Sequence, residues 1–256
     1  MIPLVLPPLH GLGVLVTRPV DQADGLLLQL KHMGALAWHW PTLSVEPLPF
    51  EIAAYAPCEL LIFISRNAVT HGASLLQRYP QARLAAVGTA TARALEKLGH
   101  SPDAVPPAGS SSEALLAHPL LLAPPAHVTL VRGQGGRELL QDTLIARGTE
   151  VTLVEAYSRR PVQPDAAALQ QLQQHWQSDA IQVITATSVD VLQALQATLP
   201  EELFTGLQDI TLLCGSARIA EAASASGWRG ERVIARSPQE SELLDALTRW
   251  HTRQRT

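Results

Sequence analysis

The stretch Gly13-Val14-Leu15-Val16-Thr17-Arg18, followed by a Leu-rich segment ending at Gly34 and by the run from Ala37 to Trp40, decides the fold because the chain repeats it. Its echo is Leu130-Val131-Arg132-Gly133, a second Leu-rich segment, Gly148 and the run from Val151 to Tyr157. Further matches follow in the same order. Ile62-Phe63-Ile64-Ser65 before Ala68-Val69 pairs with Val183-Ile184-Thr185 through Ser188, Val189 and Val191. Ala86-Val87-Gly88 with a run to Gly99 pairs with Leu213-Cys214-Gly215 and a run to Gly227. Ser112-Glu113 before Leu115-Leu116 pairs with Ser241-Glu242 before Leu243-Leu244. The separation between partners grows slowly along the chain, as a few loop insertions would make it. This pattern is that of a tandem duplication of one α/β unit, giving two similar domains with a cleft between them.

Each copy has the rhythm strand, helix, strand. Gly13 to Thr17 is a short β-rich run, Pro19 suits the first turn of a helix, and Asp21 brings negative charge to that turn. Leu26, Leu27, Leu30 and Met33 form one apolar helical stripe that Gly34 stops. In the second copy Val128 to Val131 precedes a helix expected from Arg137 to Arg147, with Leu139, Leu140 and Leu144 on one side, and then Gly148. Such alternation places parallel strands between helices on both faces. The expected fold class is therefore α/β, with two similar doubly wound parallel-sheet domains.

A chain of 256 residues, 46% hydrophobic and 16% charged, can fill two modest cores. None of its apolar runs approaches the roughly 20 residues of a membrane helix. Met1 to Leu9 is apolar but holds three prolines, lacks a basic start and shows no small-residue cleavage pattern, so a soluble cytoplasmic protein is expected rather than an exported one. Cys58 and Cys214 are solitary, which fits reduced thiols. The histidines show no His-x-x-x-His spacing and there is no Cys-x-x-Cys, so no metal site is expected. A net charge of −4 argues against binding nucleic acid by phosphate neutralisation. Among 19 basic residues only Lys31 and Lys97 are lysine. Arginine makes planar two-pronged bonds to carboxylates and suits an acidic ligand, while codon usage in an Ala- and Leu-rich protein is the other source of the skew.

In doubly wound sheets ligands bind beyond the carboxyl ends of the strands. The loops to read are Thr17-Arg18, Ser65-Arg66-Asn67, Gly88-Thr89-Ala90-Thr91, Arg132 through Arg137, Thr187-Ser188 and Gly215-Ser216. Gly133, Gly135 and Gly136 let backbone N–H groups approach an anion, or simply make a tight turn. They are not a dinucleotide fingerprint, since the last glycine of G-x-G-x-x-G falls on Glu138, and there is no Gly-Lys-Ser/Thr loop either. Ser65 and Ser188 lie outside any G-x-S-x-G elbow and read as helix N-caps able to lend a hydroxyl; Thr91 carries the same choice. Tyr157 ends an apolar strand just before Arg159-Arg160-Pro161, with a ring for packing and a hydroxyl for chemistry.

Val16-Thr17-Arg18-Pro19, the helix to Gly34, Pro41 leading to Glu46-Pro47, Ser65-x-Asn67-Ala68-Val69, Ala86-Val87-Gly88 with Thr91-Ala92, Arg132-Gly133-x-Gly135-Gly136-Arg137 and Tyr157-x-Arg159 together resemble uroporphyrinogen-III synthase, in that family's order over nearly the whole chain. The resemblance implies a cofactor-free lyase of tetrapyrrole and heme biosynthesis. It would close linear hydroxymethylbilane with loss of water and invert ring D to give uroporphyrinogen III. It implies a first domain of residues 1–38 plus 163–256, a second of 48–153, and extended linkers at 39–47 and 154–162, each half lending its first β-α-β unit to the other half's domain. It implies Tyr157 as proton donor to the departing hydroxyl, with substrate contacts from Thr17, Arg18, Ser65, Thr91, Arg132, Gly135, Gly136, Arg137, Ser188 and Ser216. A monomer without membrane or nucleic-acid partners is implied too, in transient contact with the upstream hydroxymethylbilane synthase.

Two departures stand out. Gly215-Ser216-Ala217-Arg218 occupies the place of the family's Gly-Pro-x-Thr, and Thr185-Ala186-Thr187-Ser188 aligns two ways. The alternative function is a non-catalytic ligand-binding or regulatory module of the same fold. A periplasmic solute binder would need an export signal, and a nicotinamide or flavin oxidoreductase a phosphate fingerprint.

Overall fold

Gly13 to Val16, Leu60 to Phe63 and Val183 to Ala186 are strands in which every residue is buried, as expected of strands covered on both faces. The computed structural model describes residues 6–51, 58–107, 111–135 and 138–255. In chain order the elements begin with β1 (Gly13–Val16), α1 (Val20–His32), β2 (Leu36–His39), β3 (Leu43–Pro47), β4 (Leu60–Phe63), α2 (Arg66–Gly72), α3 (Ser74–Arg78), β5 (Arg83–Ala86) and α4 (Thr89–Lys97). There follow α5 (Ser112–Leu116), α6 (Pro119–Leu122), β6 (His127–Gly133), α7 (Leu139–Ala146) and β7 (Glu150–Pro161). The remainder is α8 (Ala166–Gln177), β8 (Val183–Ala186), α9 (Val189–Thr198), α10 (Glu201–Leu207), β9 (Thr211–Cys214), α11 (Ala217–Ala225), β10 (Arg232–Ile234) and α12 (Glu240–Gln254).

The chain forms two compact units, Met1–Ser44 with Arg160–Thr256, and Val45–Arg159. It passes from the first to the second within β3 and returns within β7. Among the described residues the first unit's sheet has the order β10-β9-β8-β1-β2 and the second's β3-β7-β6-β4-β5. A lone parallel bridge between Ala85 and Ala104 stands beyond β5, where β10 stands beyond β9. Read from that edge the two sheets share one strand order, to which the second adds β3 at its far side, so the duplication seen in the sequence is a duplication of architecture. The β1-α1-β2 unit from the first half sits beside β8 from the second, and β6-α7-β7 from the second half sits beside β4 from the first.

Period-two alternation divides each sheet between two helical layers. In the first unit Leu15, Ile184, Leu212 and Cys214 pack with residues of α9, α10 and α11, whereas Val14, Val16, Val183 and Leu213 pack with α1 and α12. In the second unit Leu61, Phe63, Leu84 and Val131 pack with α2, α3 and α4, whereas Leu60, Ile62, Val128 and Leu130 pack with α5, α6 and α7. Each such aliphatic side chain contributes about 1.5–3 kcal/mol on burial.

The sequence signals for helix boundaries hold with three local corrections. Pro19 is the N-cap of α1 rather than a first-turn residue. Leu139 does not share the buried side of α7 with Leu140 and Leu144: it is 38% exposed, because consecutive helical residues point about 100° apart. That helix begins at Leu139; Arg137, from which it was expected to start, lies outside the described residues. The third correction is that β7 does not end at Tyr157 but runs on to Pro161.

Gly34, Gly99, Gly148 and Gly227 all follow helices with φ between 84° and 87°. Each closes a Schellman cap, as in Gly34 N–H to the Lys31 carbonyl and Ala35 N–H to the Leu30 carbonyl, both at 3.0 Å. Asp179 closes the same cap on α8 at φ 54°, with Ala180 N–H reaching the His175 carbonyl at 2.9 Å. A side chain in that region is strained where glycine is not. Asp179→Gly should therefore stabilise the protein by about 0.5–1 kcal/mol in urea unfolding; an unchanged or lowered midpoint would contradict the cap assignment.

Cys58 and Cys214 are free thiols. Burial pushes the Cys214 thiol up to about 12 and raises Cys58 as well. At pH 8 the native protein should react with a thiol reagent at no more than one cysteine, and at both once denatured.

Candidate active site

Four of the turns that leave the strands share one construction. β4, β5, β8 and β9 are each followed two residues later by an extended N-cap residue, respectively Ser65, Gly88, Ser188 and Ser216. Ser65 accepts from Ala68 N–H at 3.0 Å and Ser188 from Val191 N–H at 3.1 Å, so both are true caps. Ser216 holds the cap position without making the cap bond. Thr91 is not a cap: Gly88 caps α4, and Thr91 lies buried in its first turn.

In the second unit the turn after β4 meets β7. Arg132 pairs with Glu155 but Gly133 pairs with Tyr157, so the register slips and Ala156 is the extra residue of a bulge. The slip brings Tyr157 onto the side already held by Val154 and Ala156. Its ring covers Gly133, where a β-carbon would come within 2.6 to 2.9 Å of the phenol. Gly133 is therefore a glycine for steric room, and the anion-approach reading of this residue does not hold. Tyr157 is 1% exposed. Its hydroxyl lies 3.0 Å from Ser65 Oγ and accepts from Arg159 Nη2 at 3.2 Å. The Arg159 guanidinium sits 5.7 Å from the ring centroid, and His71 flanks the ring at 5.9 Å.

Beside this cluster, on the neighbouring strand positions, the Glu155 carboxylate takes Arg132 Nη2 at 3.3 Å and Gly135 N–H at 3.4 Å. Gly135 is exposed with φ 71°, a conformation that needs glycine. Gly136 and Arg137 lie outside the described residues.

In the first unit Thr17 is fully buried. Its hydroxyl donates to the Thr185 carbonyl, its N–H to Thr185 Oγ1 at 3.1 Å, and its carbonyl accepts from Thr42 Oγ1 at 3.2 Å. Arg18 is 6% exposed and turned inward, bonding the carbonyls of Gln22 and Pro238 with Glu240 at 3.6 Å. Among the described residues no group of three His, Cys, Asp or Glu side chains is arranged to hold a metal ion.

A family model described as uroporphyrinogen-III synthase HemD matches residues 25–245. The uroporphyrinogen-III synthase of Escherichia coli K12 is 33% identical over 249 residues, 92% of this chain and 100% of that protein. The chain belongs to the uroporphyrinogen-III synthase family. The Salmonella typhimurium synthase is 32% identical over the same shares of both chains. Among solved structures, the uroporphyrinogen-III synthetase of Helicobacter pylori 26695 superposes with a TM-score of 0.64 at 15% identity, over 93% of this chain and 99% of that one. A mutant uroporphyrinogen III synthase of the extreme thermophile Thermus thermophilus does so with 0.61 at 18%, over 95% and 99%. These superpositions establish the fold.

For a member of this synthase family, the structure joins Tyr157 with Ser65, and Arg132 with Gly135, among the residues singled out from sequence. It adds Arg159, Glu155, Glu240 and Thr185, which sequence reasoning missed as site residues. Arg159 was visible in Tyr157-x-Arg159; the two glutamates carried no local signal, because each meets its arginine only through tertiary pairing. Gly133→Ala should push the ring off its seat, costing about 1–3 kcal/mol of stability and at least tenfold in kcat. Gly135→Ala, with open space around it but a positive φ, should cost stability and act on KM rather than on kcat. Equal catalytic losses in both variants would count against the packing role.

Proposed function

We propose that Tyr157 is the source of the proton that leaves with water when this chain performs the family's reaction. The protein is a cyclising lyase of porphyrin biosynthesis, acting on hydroxymethylbilane to give uroporphyrinogen III. In the first step the C–O bond of the hydroxymethyl group breaks, the oxygen takes a proton and departs as water, and the pyrrole nitrogen's electrons leave a reactive azafulvenium cation. Ring D attacks through its substituted carbon to form a spiro intermediate, which fragments and recloses with ring D reversed. Simple closure needs no enzyme, so the protein's work is to favour one geometry over another.

The observation that carries this reading is the Tyr157 hydroxyl held between Ser65 Oγ and Arg159 Nη2 at the β7 bulge, in a chain that matches the family from residue 25 to 245. The Arg159 cation beside the phenol favours the charge that appears when the proton leaves. Thr91, Ser188, Ser216, Gly135, Gly136 and Arg137 are assigned to the substrate's carboxylates, by backbone and side-chain donation. Arg18 and Arg132 are assigned to holding their loops, since each guanidinium already serves a glutamate. Thr17 is assigned to fixing the end of β1. Two free thiols suit a reducing compartment, and we place the protein in the cytoplasm. No observation favours a non-catalytic module.

Purified protein given freshly made hydroxymethylbilane should yield predominantly isomer III after oxidation and chromatographic separation of the porphyrins. Isomer I at the level of a protein-free control would overturn the assignment. Tyr157→Phe should lower kcat by roughly 10²-fold or more with little change in KM; a variant with near-full activity would remove Tyr157 from the chemistry.

A further inference from the structure

We propose that Ser65 is the group that hands the proton to the departing hydroxyl, and that Tyr157 recharges it from behind; this rests on the synthase reading above. A guanidinium only donates, so the Tyr157 oxygen accepts from Arg159 at 3.2 Å. The phenol is 1% exposed, and its remaining partner among the described residues is Ser65 Oγ at 3.0 Å. If Ser65 donated to Tyr157, the phenolic proton would be buried without an acceptor, an arrangement folded proteins avoid. Tyr157 therefore donates to Ser65.

Ser65 Oγ also accepts from Ala68 N–H at 3.0 Å. Both of its acceptor positions are then filled, and its own proton has no acceptor within the cluster. Ser65 is partly exposed, whereas Tyr157 is not. The donor that the cluster presents is thus the serine O–H. Arg159, Tyr157 and the α2 cap bond together fix which way it points.

As the C–O bond of the hydroxymethyl group breaks, its oxygen takes the Ser65 proton and leaves as water. Ser65 Oγ takes the Tyr157 proton at the same time, and the phenolate left behind faces the Arg159 guanidinium. When the macrocycle closes, the joining ring carbon gives up a proton, which returns along the same path and restores Tyr157.

The test compares wild type, Ser65→Gly, Tyr157→Phe and the double variant on hydroxymethylbilane, measuring kcat and KM for isomer III. Glycine is the chosen replacement because Gly88 caps α4 with the same extended backbone. Ser65→Asn serves as a second variant that keeps the cap bond but cannot relay a proton. Ser65→Gly and Ser65→Asn should each lower kcat about 10²-fold with KM nearly unchanged. In the Tyr157→Phe background Ser65→Gly should change kcat by less than about twofold, because the two residues act in one path. Ser65→Thr should restore most of the rate. An equal loss in both backgrounds, or near-wild-type kcat in Ser65→Gly, would overturn the relay while leaving the synthase assignment intact. Wild type yielding only isomer I would remove both.

Discussion

Strands covered on both faces impose the constraint on which this structure depends. An apolar run of four residues can be solvent-free on both sides only if a helix returns across the sheet after each strand, alternately above and below it. Leu60-Leu61-Ile62-Phe63 shows the result: its residues are divided one by one between the layer of α2, α3 and α4 and the layer of α5, α6 and α7. Because every connection must climb from a strand end onto a helix, the polar turns collect at the carboxyl ends of the strands. Ser65, Gly88, Ser188 and Ser216 are products of that constraint before they are anything else.

Much of this could be read in the sequence because its signals are local. The four-residue strands, the Leu stripe of α1, the stops at Gly34, Gly99, Gly148 and Gly227, and the caps at Ser65 and Ser188 depend on neighbours a few residues away. Repetition reinforced each of them. What could not be read was tertiary. The sequence showed glycines at 133, 135 and 136 without saying that the first would lie under a phenol ring, because that contact follows from a bulge at Ala156 on another strand. Leu139 looked like part of an apolar stripe, yet it faces outward. Arg18 and Arg132 looked like open cations, and both turned inward to glutamates that no spacing rule connects to them.

The chemistry of the candidate site follows from what it omits as much as from what it holds. Tyr157, Ser65 and Arg159 form a chain of donors that runs from an exposed cation through a buried phenol to a partly exposed hydroxyl, with no strong nucleophile within it. That composition suits a reaction whose difficulty is geometric. A reactive carbocation-like intermediate needs protection and steering, and a nucleophilic side chain close by would capture it. The bulge also explains why a single glycine is tied to a single tyrosine: moving either residue by one position would turn the hydroxyl away from Ser65.

The exchange of β-α-β units between the halves has a consequence for how the protein is made. The second unit is one continuous stretch, so it can fold as soon as it leaves the ribosome. The first is split. Gly13 N–H is bonded to the side chain of Gln182, 169 residues further along the chain, and β1 pairs with β8 on that same side. At ordinary elongation rates β1 waits roughly 10–30 s for its neighbour to be synthesised. During that interval the apolar face of β1, α1 and β2 has no sheet to join. The segment from β1 to β2 is therefore left without its sheet longer than any part of the second unit, although β1 ends up buried along its whole length.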